Sequence, residues 1–189
     1  MEDLNPAEEK KAKPEPAYSY HSENLNDIYT KLLGRVVEIE IMLPPQLGTG
    51  KQYPLLILND GQDSEAVKVK QAVEELVLEK AIPEIIVVGV KAADRMQEYG
   101  VGFRSDYFGR GKFARAYSNY VITELFPYLK YRFPLAETVT DHVMAGYSLG
   151  GLSAMDIVWN HPETFGKVGV FRGSFWWRKR DAGRFVYFD

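Results

Sequence analysis

Short apolar segments alternate with longer amphipathic segments along most of the chain, a pattern typical of sheets built from strand–helix units. In the first strand, every second residue from Val37 to Leu43 is aliphatic, so we expect one buried face and one more polar face. Continuous apolar runs predict strands that are covered on both faces. These runs are Leu55–Leu58, Ile85–Val90, Val143–Tyr147 and Val168–Phe171.

Apolar residues at helical spacing predict three helices between these strands. Their ranges are 66–76, with a cap at Asp63 or Ser64, 113–125 and 149–159. A long loop, 92–111, precedes the second helix, and His161-Pro162 ends the third. Strands that alternate with helices imply parallel crossover connections. We therefore predict an α/β fold with a mostly parallel sheet flanked by helices.

The N-terminal stretch differs in composition from the rest of the chain. Residues 1–20 alternate acids, lysines and prolines with few apolar residues, so we expect a flexible charged tail there. The remainder, 21–189, has the length of a single domain.

The composition excludes several classes of function. The formal net charge of -3 gives no general attraction to nucleic acid or anionic lipid, so neither is an expected partner. The absence of cysteine removes disulfides, thiolate metal sites and a cysteine nucleophile, and it fits a reducing compartment. There is no apolar signal region and no apolar run of the roughly 20 residues that span a membrane. We therefore expect a cytoplasmic protein with no membrane partner, no metal and no cofactor.

The segment Gly146-Tyr147-Ser148-Leu149-Gly150 carries the candidate chemistry. It matches the G-x-S-x-G nucleophile elbow, in which a serine stands on a tight turn between a strand and a helix. Both outer positions favour glycine because a side chain there would collide with the neighbouring strand or helix. An apolar strand ends at Tyr147 and an apolar helix begins at Leu149, so the context fits the motif. The alternative is a glycine-rich turn that carries an unreactive serine.

A serine esterase also needs hydrogen-bond donors aimed at the oxyanion of its tetrahedral intermediate. One candidate is the backbone N–H of Leu149, at a helix N-terminus where the helix dipole favours negative charge. The second donor is expected from the loop Asn59-Asp60-Gly61-Gln62, with the Gln62 N–H as the candidate. The alternative for Asp60-Gly61 is an ordinary turn.

Several segments together resemble one branch of a known family. In the order seen in the enterochelin-esterase-like, or esterase D, branch of the α/β-hydrolases, the chain contains LPP, LLILNDGQ, VVGV, DRMQEYG, AGYSLGGLSAMDIVWNHPETFGKV and GSFWW. The resemblance runs from about Ile28 to Trp177. It implies a serine hydrolase that acts on a small carboxylic ester, such as a siderophore ester, an acylated sugar or S-formylglutathione. It also implies Ser148 as the nucleophile, with Leu149 and Gln62 as oxyanion donors.

Two departures from the family pattern concern the active site. The family usually has Ser-Gly-Ser before its aromatic pair, whereas this chain has Arg172-Gly173-Ser174. In α/β-hydrolases the catalytic acid and histidine follow the serine along the chain. The only histidine after Ser148 is His161, in a His-Pro-Glu context that is typical of a helix end.

The other titratable residues are no better placed by the sequence. His142 lies at the beginning of its strand, although sites in such sheets form at the carboxyl ends of strands, and His21 is expected in the tail. Asp156 is expected on a solvated helix face. Phe185–Phe188, with Asp189 at its end, resembles a later strand of the family, but two more strand–helix units need about 50 residues or more. We therefore expect a partial, C-terminally truncated domain that lacks the catalytic Asp and His.

Five further residues are candidates for a substrate pocket. They are Tyr147, Arg95, Phe175, Trp176 and Trp177. The three consecutive aromatic residues follow the last strand on the active-site side, where they either wall an acyl or leaving-group pocket or pack as core and edge residues. Arg95 belongs with Glu98 and Tyr99 to one block of the family resemblance, which either holds its loop by an ion pair, the favoured interpretation, or contacts substrate.

The sequence leaves two hypotheses from different classes. The first is a serine carboxylesterase for a small ester, in a chain that lacks part of the catalytic machinery. The second is a non-catalytic hydrolase-fold protein that binds a ligand or partner. A dinucleotide-binding domain is disfavoured because no G-x-G-x-x-G follows the first strand. The sheet edge left by missing strands would be open to pairing, so a homo-oligomer is kept as an alternative to a monomer.

Overall fold

A single mixed sheet organises the protein. The computed structural model describes residues 18–48 and 50–177. Within these ranges the strands are β1 His21–Thr30, β2 Arg35–Leu43, β3 Leu55–Asn59, β4 Ile86–Val90, β5 His142–Tyr147 and β6 Lys167–Phe171. They lie in the order β1-β2-β4-β3-β5-β6. The first two strands pair antiparallel, whereas β4, β3, β5 and β6 are parallel to one another. The predicted α/β fold is confirmed.

Helices connect the parallel strands. They are α1 Val69–Leu78, α2 Arg95–Glu98, α3 Ala114–Tyr120, α4 Phe126–Arg132 and α5 Leu149–Asn160. A π-helical turn, Val121–Leu125, joins α3 to α4, so the helix predicted at 113–125 extends to Arg132. The short helix α2 lies within the predicted loop at 92–111. None of the helices in the described ranges has both the length and the apolar character needed to cross a membrane.

The alternation of side chains along the strands divides the core between the two faces of the sheet. The larger cluster joins alternate residues of β2, β3 and β4, such as Ile39, with residues of α3, α4 and α5. A smaller cluster brings Met42 and Val87 against Val73 of α1. Burying each aliphatic side chain contributes about 1.5–3 kcal/mol relative to leaving it exposed. The predicted buried face of the 37–43 strand is confirmed, and Met42 is buried as well, under α1.

The helix α1 begins later than the sequence predicts. A cap at Asp63 or Ser64 is wrong, because α1 begins after Lys68, whose φ of 56° is left-handed. The Ser64 hydroxyl instead hydrogen-bonds to the Gly61 carbonyl oxygen and to Glu40 of β2. These bonds hold the turn after β3 against β2. Residues 64–68 therefore form a further turn, and α1 begins only after it.

The edge strand β1 is absent from the sequence prediction. Its core-facing residues, Leu25 and Ile28, are three positions apart because a bulge adds a residue between them. This bulge breaks the two-residue alternation by which a strand is recognised. His21, expected in the tail, is the exposed first residue of β1. The predicted tail lies mostly at 1–17, outside the described residues, whereas Tyr20 is buried against α1.

Gly61 and Gly89 lie backbone against backbone where the turn after β3 crosses β4. A Cβ on Gly61 would stand 2.6 Å from the Gly89 carbonyl oxygen, so Gly61→Ala must shift the main chain. We expect this change to lower the free energy of unfolding by about 1–3 kcal/mol. Gly48→Ala is the matched control, because the nearest atom to its new Cβ is 3.7 Å away. Urea unfolding measures both variants, and equal losses in the two would contradict the close approach.

Candidate active site

Ser148 occupies the turn between β5 and α5. Its φ of 52° and ψ of -115° lie in a region that residues with side chains rarely adopt. Its N–H donates to the Phe171 carbonyl oxygen at 2.8 Å, and its carbonyl oxygen accepts from the N–H groups of Leu152 and Ser174 at 3.1 and 3.0 Å. The turn is therefore held by β6, by α5 and by the loop after β6. The Ser148 side chain itself is exposed.

The glycines of the elbow have a direct steric cause. A Cβ on Gly146 would stand 2.6 Å from the Gly150 carbonyl oxygen, and a Cβ on Gly150 would stand 2.6 Å from a carboxylate oxygen of Asp60. A further glycine, Gly151, shares the constraint, since its Cβ would lie 2.8 Å from the Gly146 carbonyl oxygen. Only residues without side chains allow β5, α5 and the loop after β3 to come this close.

The side-chain partner of Ser148 is Ser174. Their hydroxyl oxygens are 3.1 Å apart, and either one can donate. Ser174 is buried in the loop after β6, and its carbonyl oxygen accepts from the Trp177 N–H at 3.1 Å. Arg172, which departs from the family pattern, is exposed and has a φ of 51°. The departure at Arg172 therefore leaves the contact between the two serines intact.

The carboxyl end of β3 lies directly behind the elbow. The buried Asn59 side chain donates to the Gly150 carbonyl oxygen at 2.8 Å and accepts from the Tyr117 hydroxyl at 2.6 Å. The Asp60 N–H donates to the Tyr99 hydroxyl oxygen at 2.9 Å. Burial raises the pKa of both tyrosines well above the ordinary value, so both phenols stay neutral. This polar network joins α2 and α3 to the first turn of α5.

Asp60 also forms an ion pair in which the carboxylate is buried and the guanidinium is partly exposed. Its two carboxylate oxygens accept from Nε and a terminal nitrogen of Arg95, each at 3.0 Å. Hydrogen bonding to Asp60 raises the pKa of Arg95, so the guanidinium stays charged. Glu98, in the same sequence block, pairs instead with Arg35 of β2 at 2.6 Å. The sequence did not identify Asp60 as a partner of Arg95, because the two lie on different loops.

The two predicted oxyanion donors lie at the same edge of the sheet as the elbow. Leu149 is the first residue of α5, and Gln62 lies in a 3-10 turn, Gly61–Asp63, immediately after β3. The Gln62 side chain donates to Asp60 at 3.0 Å and accepts from the Ala92 N–H at 3.3 Å, so it links the loops after β3 and β4. Donation by the two backbone amides to an oxyanion stays a prediction.

The three consecutive aromatic residues after β6 have different environments. Trp177 is buried against Gly100 and Gly111, where any Cβ would meet its ring at 2.6 and 2.8 Å. Trp177 is therefore a core residue and not an open pocket wall. Phe175 and Trp176 are exposed on the same loop, close in sequence to Ser174.

Two further contacts shape this aromatic surface. The half-buried Tyr147 ring stacks on Phe171, with centroids 4.9 Å apart. The Arg110 guanidinium lies over the Trp176 ring, 5.1 Å from its centroid, and pairs with the buried Asp106. Arg110 cannot be recognised from the sequence, since nothing local shows that its loop lies beside the one after β6.

None of the three histidines of the chain lies near Ser148. His161 follows α5, and a rise of about 1.5 Å per residue puts it about 20 Å from Ser148. His142 begins β5, about 20 Å away at about 3.3 Å per residue. His21 lies four strands from β5, at least about 19 Å away with strands spaced by about 4.8 Å.

The local contacts of two histidines are consistent with structural roles. His161 Nδ1 lies 3.2 Å from a carboxylate oxygen of Glu163, at the end of α5. His142 is buried, with its ring nitrogens 2.9 and 2.7 Å from the carbonyl oxygens of Thr164 and Ala136. His142 therefore joins β5 to the segments that precede and follow its strand–helix unit.

Asp156 is only partly solvated, and not fully solvent-facing as expected. Its carboxylate accepts from the Gly102 N–H at 2.8 Å, and partial burial raises its pKa. Asp156 lines an open pocket of about 420 Å³ with Arg115, Asn160 and His161, toward the end of α5 that is far from Ser148. The loop before α3 covers this face of the helix, which the helical pattern alone does not reveal.

The predicted later strand and any metal site remain to be placed. Phe185–Phe188 and Asp189 lie outside the described ranges. Within 18–48 and 50–177, no group of three or more histidine, aspartate or glutamate residues is placed to hold a metal ion.

Comparison with protein-family models assigns the chain to a family of esterases. The Esterase family model matches residues 30–186, which is most of the chain. The chain belongs to this family. The resemblance to enterochelin-esterase-like proteins is also confirmed, because enterobactin and enterochelin esterases are among the similar proteins.

Individual relatives share only part of their length with this chain. The iron(III) enterobactin esterase of Escherichia coli is 29% identical over 134 residues, which are 70% of this chain and 31% of that protein. The uncharacterized protein YbbA of Bacillus subtilis is 23% identical over 142 residues, 72% of this chain and 56% of that protein. The chain thus spans between about a third and just over half of these curated relatives.

A solved esterase structure has a similar fold. The enterobactin esterase of Shigella flexneri, crystallised in the presence of enterobactin, matches with a TM-score of 0.69 and 25% identity. The match covers 87% of this chain and 39% of the Shigella flexneri protein. The fold is therefore that of α/β-hydrolase-type esterases.

The strain at Ser148 predicts an unusual order of stability. Ser148→Ala and Ser148→Gly both remove the hydroxyl, but only glycine relieves the unfavourable backbone conformation, which costs about 1–3 kcal/mol. We expect the glycine variant to have the larger free energy of unfolding, by about 1 kcal/mol after the greater flexibility of unfolded glycine is included. Urea unfolding measures the difference. At Ser153, inside α5, glycine should be the less stable of the two, and the same order at both positions would contradict strain at Ser148.

Proposed function

We propose that this chain supplies the nucleophile of a serine carboxylesterase that acts on a small carboxylic ester. The observation that carries the proposal is the exposed Ser148 side chain, held on a strained strand-to-helix turn at the N-terminus of α5. Membership in the Esterase family supports an ester as the substrate class. Relatives named for enterobactin support a siderophore ester as the first natural substrate to test.

In the proposed reaction, the Ser148 hydroxyl oxygen attacks the ester carbonyl carbon and the carbonyl oxygen becomes an oxyanion. The N–H groups of Leu149 and Gln62 donate to this oxyanion, and the N-terminus of α5 favours its negative charge. The leaving alcohol departs as it receives the proton that Ser148 has lost, and water then hydrolyses the acyl-serine to release the acid and restore the Ser148 hydroxyl.

The proton of Ser148 needs an acceptor, because a neutral serine hydroxyl is a poor nucleophile. The three histidines of the chain lie about 20 Å or farther from Ser148 by the spacing of helix and strand residues. We therefore propose that none of the three histidines of this chain is the general base.

A non-catalytic hydrolase-fold protein is the second candidate. The large distance between Ser148 and each of the three histidines favours this candidate, since a binding protein has no need of a base. In that case the exposed aromatic residues Phe175 and Trp176 would serve binding alone, and Ser148 would be unreactive toward an ester.

Covalent labelling separates the two candidates. We expect a fluorophosphonate probe to label the purified 189-residue chain slowly at Ser148 and p-nitrophenyl acetate to be turned over feebly. Serine hydrolases without a triad member retain a rate about 10³–10⁴ above that in water. Added imidazole should accelerate the Ser148-dependent part of the turnover, because it can accept the serine proton.

The controls are Ser148→Ala and His161→Ala. Ser148→Ala should abolish the labelling and leave only the hydrolysis that imidazole causes by itself, whereas His161→Ala should leave the rate unchanged. Labelling and turnover that are the same in Ser148→Ala and the unaltered chain would support the binding protein. Rapid turnover lost in both variants would instead make His161 the base and overturn the proposal that no histidine of this chain has that role.

Trp176 is expected to contact the acyl or leaving group. Trp176→Ala should raise the KM for p-nitrophenyl benzoate about fivefold, since a lost ring contact weakens binding by about 1 kcal/mol. The kcat should change little. Trp159→Ala is the matched control, because Trp159 is also exposed but lies near the far end of α5. Equal effects of the two changes on KM would remove Trp176 from the substrate site.

A further inference from the structure

The candidate oxyanion loop places a buried carboxylate against the elbow. The Asp60 side chain is only 2% exposed. One of its oxygens lies so close to the first turn of α5 that a Cβ on Gly150 would stand 2.6 Å from it. Asp60 itself is the residue at which the chain turns from β3, with a left-handed φ of 62°.

This position is unfavourable for an unpaired carboxylate for two reasons. Burial removes the water that stabilises the charge, which is costly unless a partner replaces it. A negative charge this close to Ser148 would also repel the oxyanion that forms during ester attack. Arg95 answers both problems, because its guanidinium pairs with both carboxylate oxygens at 3.0 Å.

The same ion pair fixes the geometry of the turn. One carboxylate oxygen of Asp60 accepts from the Gln62 side chain at 3.0 Å, and the Gln62 side-chain carbonyl accepts from the Ala92 N–H at 3.3 Å. The Asp60 N–H is bound to the Tyr99 hydroxyl at 2.9 Å. Arg95 is therefore linked to the Gln62 side chain through the carboxylate of Asp60.

From these contacts we infer that Arg95 is a positioning residue for the oxyanion site. Through Asp60 it holds the Gln62 backbone amide in the orientation of an oxyanion donor and neutralises the charge beside that donor. The inference rests on the proposed function, in which the Gln62 amide binds the oxyanion. It differs from the alternative that Arg95 contacts substrate, because the Nε edge of the guanidinium is bound to Asp60.

Arg95→Ala tests the inference by kinetics. Ser148-dependent turnover of p-nitrophenyl acetate in the presence of imidazole should lose about 10- to 100-fold in kcat, since misplacement of a catalytic group by about 1 Å costs up to about 10²-fold. The KM should stay within about twofold. Arg95→Lys keeps the charge but cannot bind both carboxylate oxygens in the same way. Its kcat should therefore lie between those of Arg95→Ala and the unaltered chain. Millimolar methylguanidine should restore part of the kcat of Arg95→Ala.

Arg132→Ala is the matched control. Arg132 also forms an ion pair, with Glu23, and its side chain is 36% exposed compared with 38% for Arg95. It joins α4 to β1, far from Ser148, so its removal should leave kcat unchanged.

Amide hydrogen exchange tests the same inference without catalysis. In Arg95→Ala, the hydrogen-bonded amides of Asp63 and Ser64 in this turn should exchange at least about 10-fold faster than in the unaltered chain, with no such change in Arg132→Ala. If Arg95→Ala does not fold, Arg95→Lys provides both readouts. Unchanged exchange in this turn, or a raised KM with unchanged kcat, would overturn the positioning role. Turnover that does not depend on Ser148 would refute the proposed function, while the exchange result would still decide whether Arg95 holds the turn.

Discussion

The backbone of Ser148 keeps an unfavourable conformation only because neighbouring segments bind it from several sides. The carbonyl oxygen of Phe171 accepts from its N–H, and the N–H of Ser174 donates to its carbonyl oxygen. The Asn59 side chain fixes the Gly150 carbonyl in the next turn. If any of β3, β5 and β6 shifted, these hydrogen bonds would be lost and the Ser148 backbone could relax. The rest of the site therefore depends on the packing of these strands.

Much of this arrangement is visible in the sequence because its determinants are local. The buried parallel strands are continuous aliphatic runs, and the elbow needs small residues at fixed distances from Ser148. The turn after β3 is likewise marked by Asp60-Gly61. These features could be predicted because each one is decided by residues that are neighbours in the chain.

Other features depend on residues that are distant in the chain, and the sequence alone does not show them. The partner of Asp60 is 35 positions away, and the partner of Glu98 is 63 positions away. The bulge in β1 removes the alternation between Leu25 and Ile28 that would have revealed the strand. Asp156 is covered by a loop whose path is set by tertiary packing. Charge alone gives no indication of which of many possible partners a residue meets.

The helix α2 shows how these distant contacts act together. Four residues are too few to form a stable helix alone, because helix nucleation is unfavourable. Its two ends are instead tied to the sheet, Arg95 to the turn after β3 and Glu98 to Arg35 of β2. The helix α2 thus connects β2 with the turn after β3, which packs against the elbow.

The tyrosines behind the elbow give the protein an internal optical signal. Tyr99 and Tyr117 are two of its 12 tyrosines, and burial keeps their pKa values well above the ordinary value of about 10. As the pH rises past that value, the unfolded chain gains more from losing these protons than the folded chain does, so alkali weakens the fold. In an alkaline absorbance titration, the phenolate absorbance of Tyr99 and Tyr117 is therefore expected late, together with that of other buried phenols such as Tyr120. Its appearance reports that water has reached the packed interior, including the carboxyl end of β3.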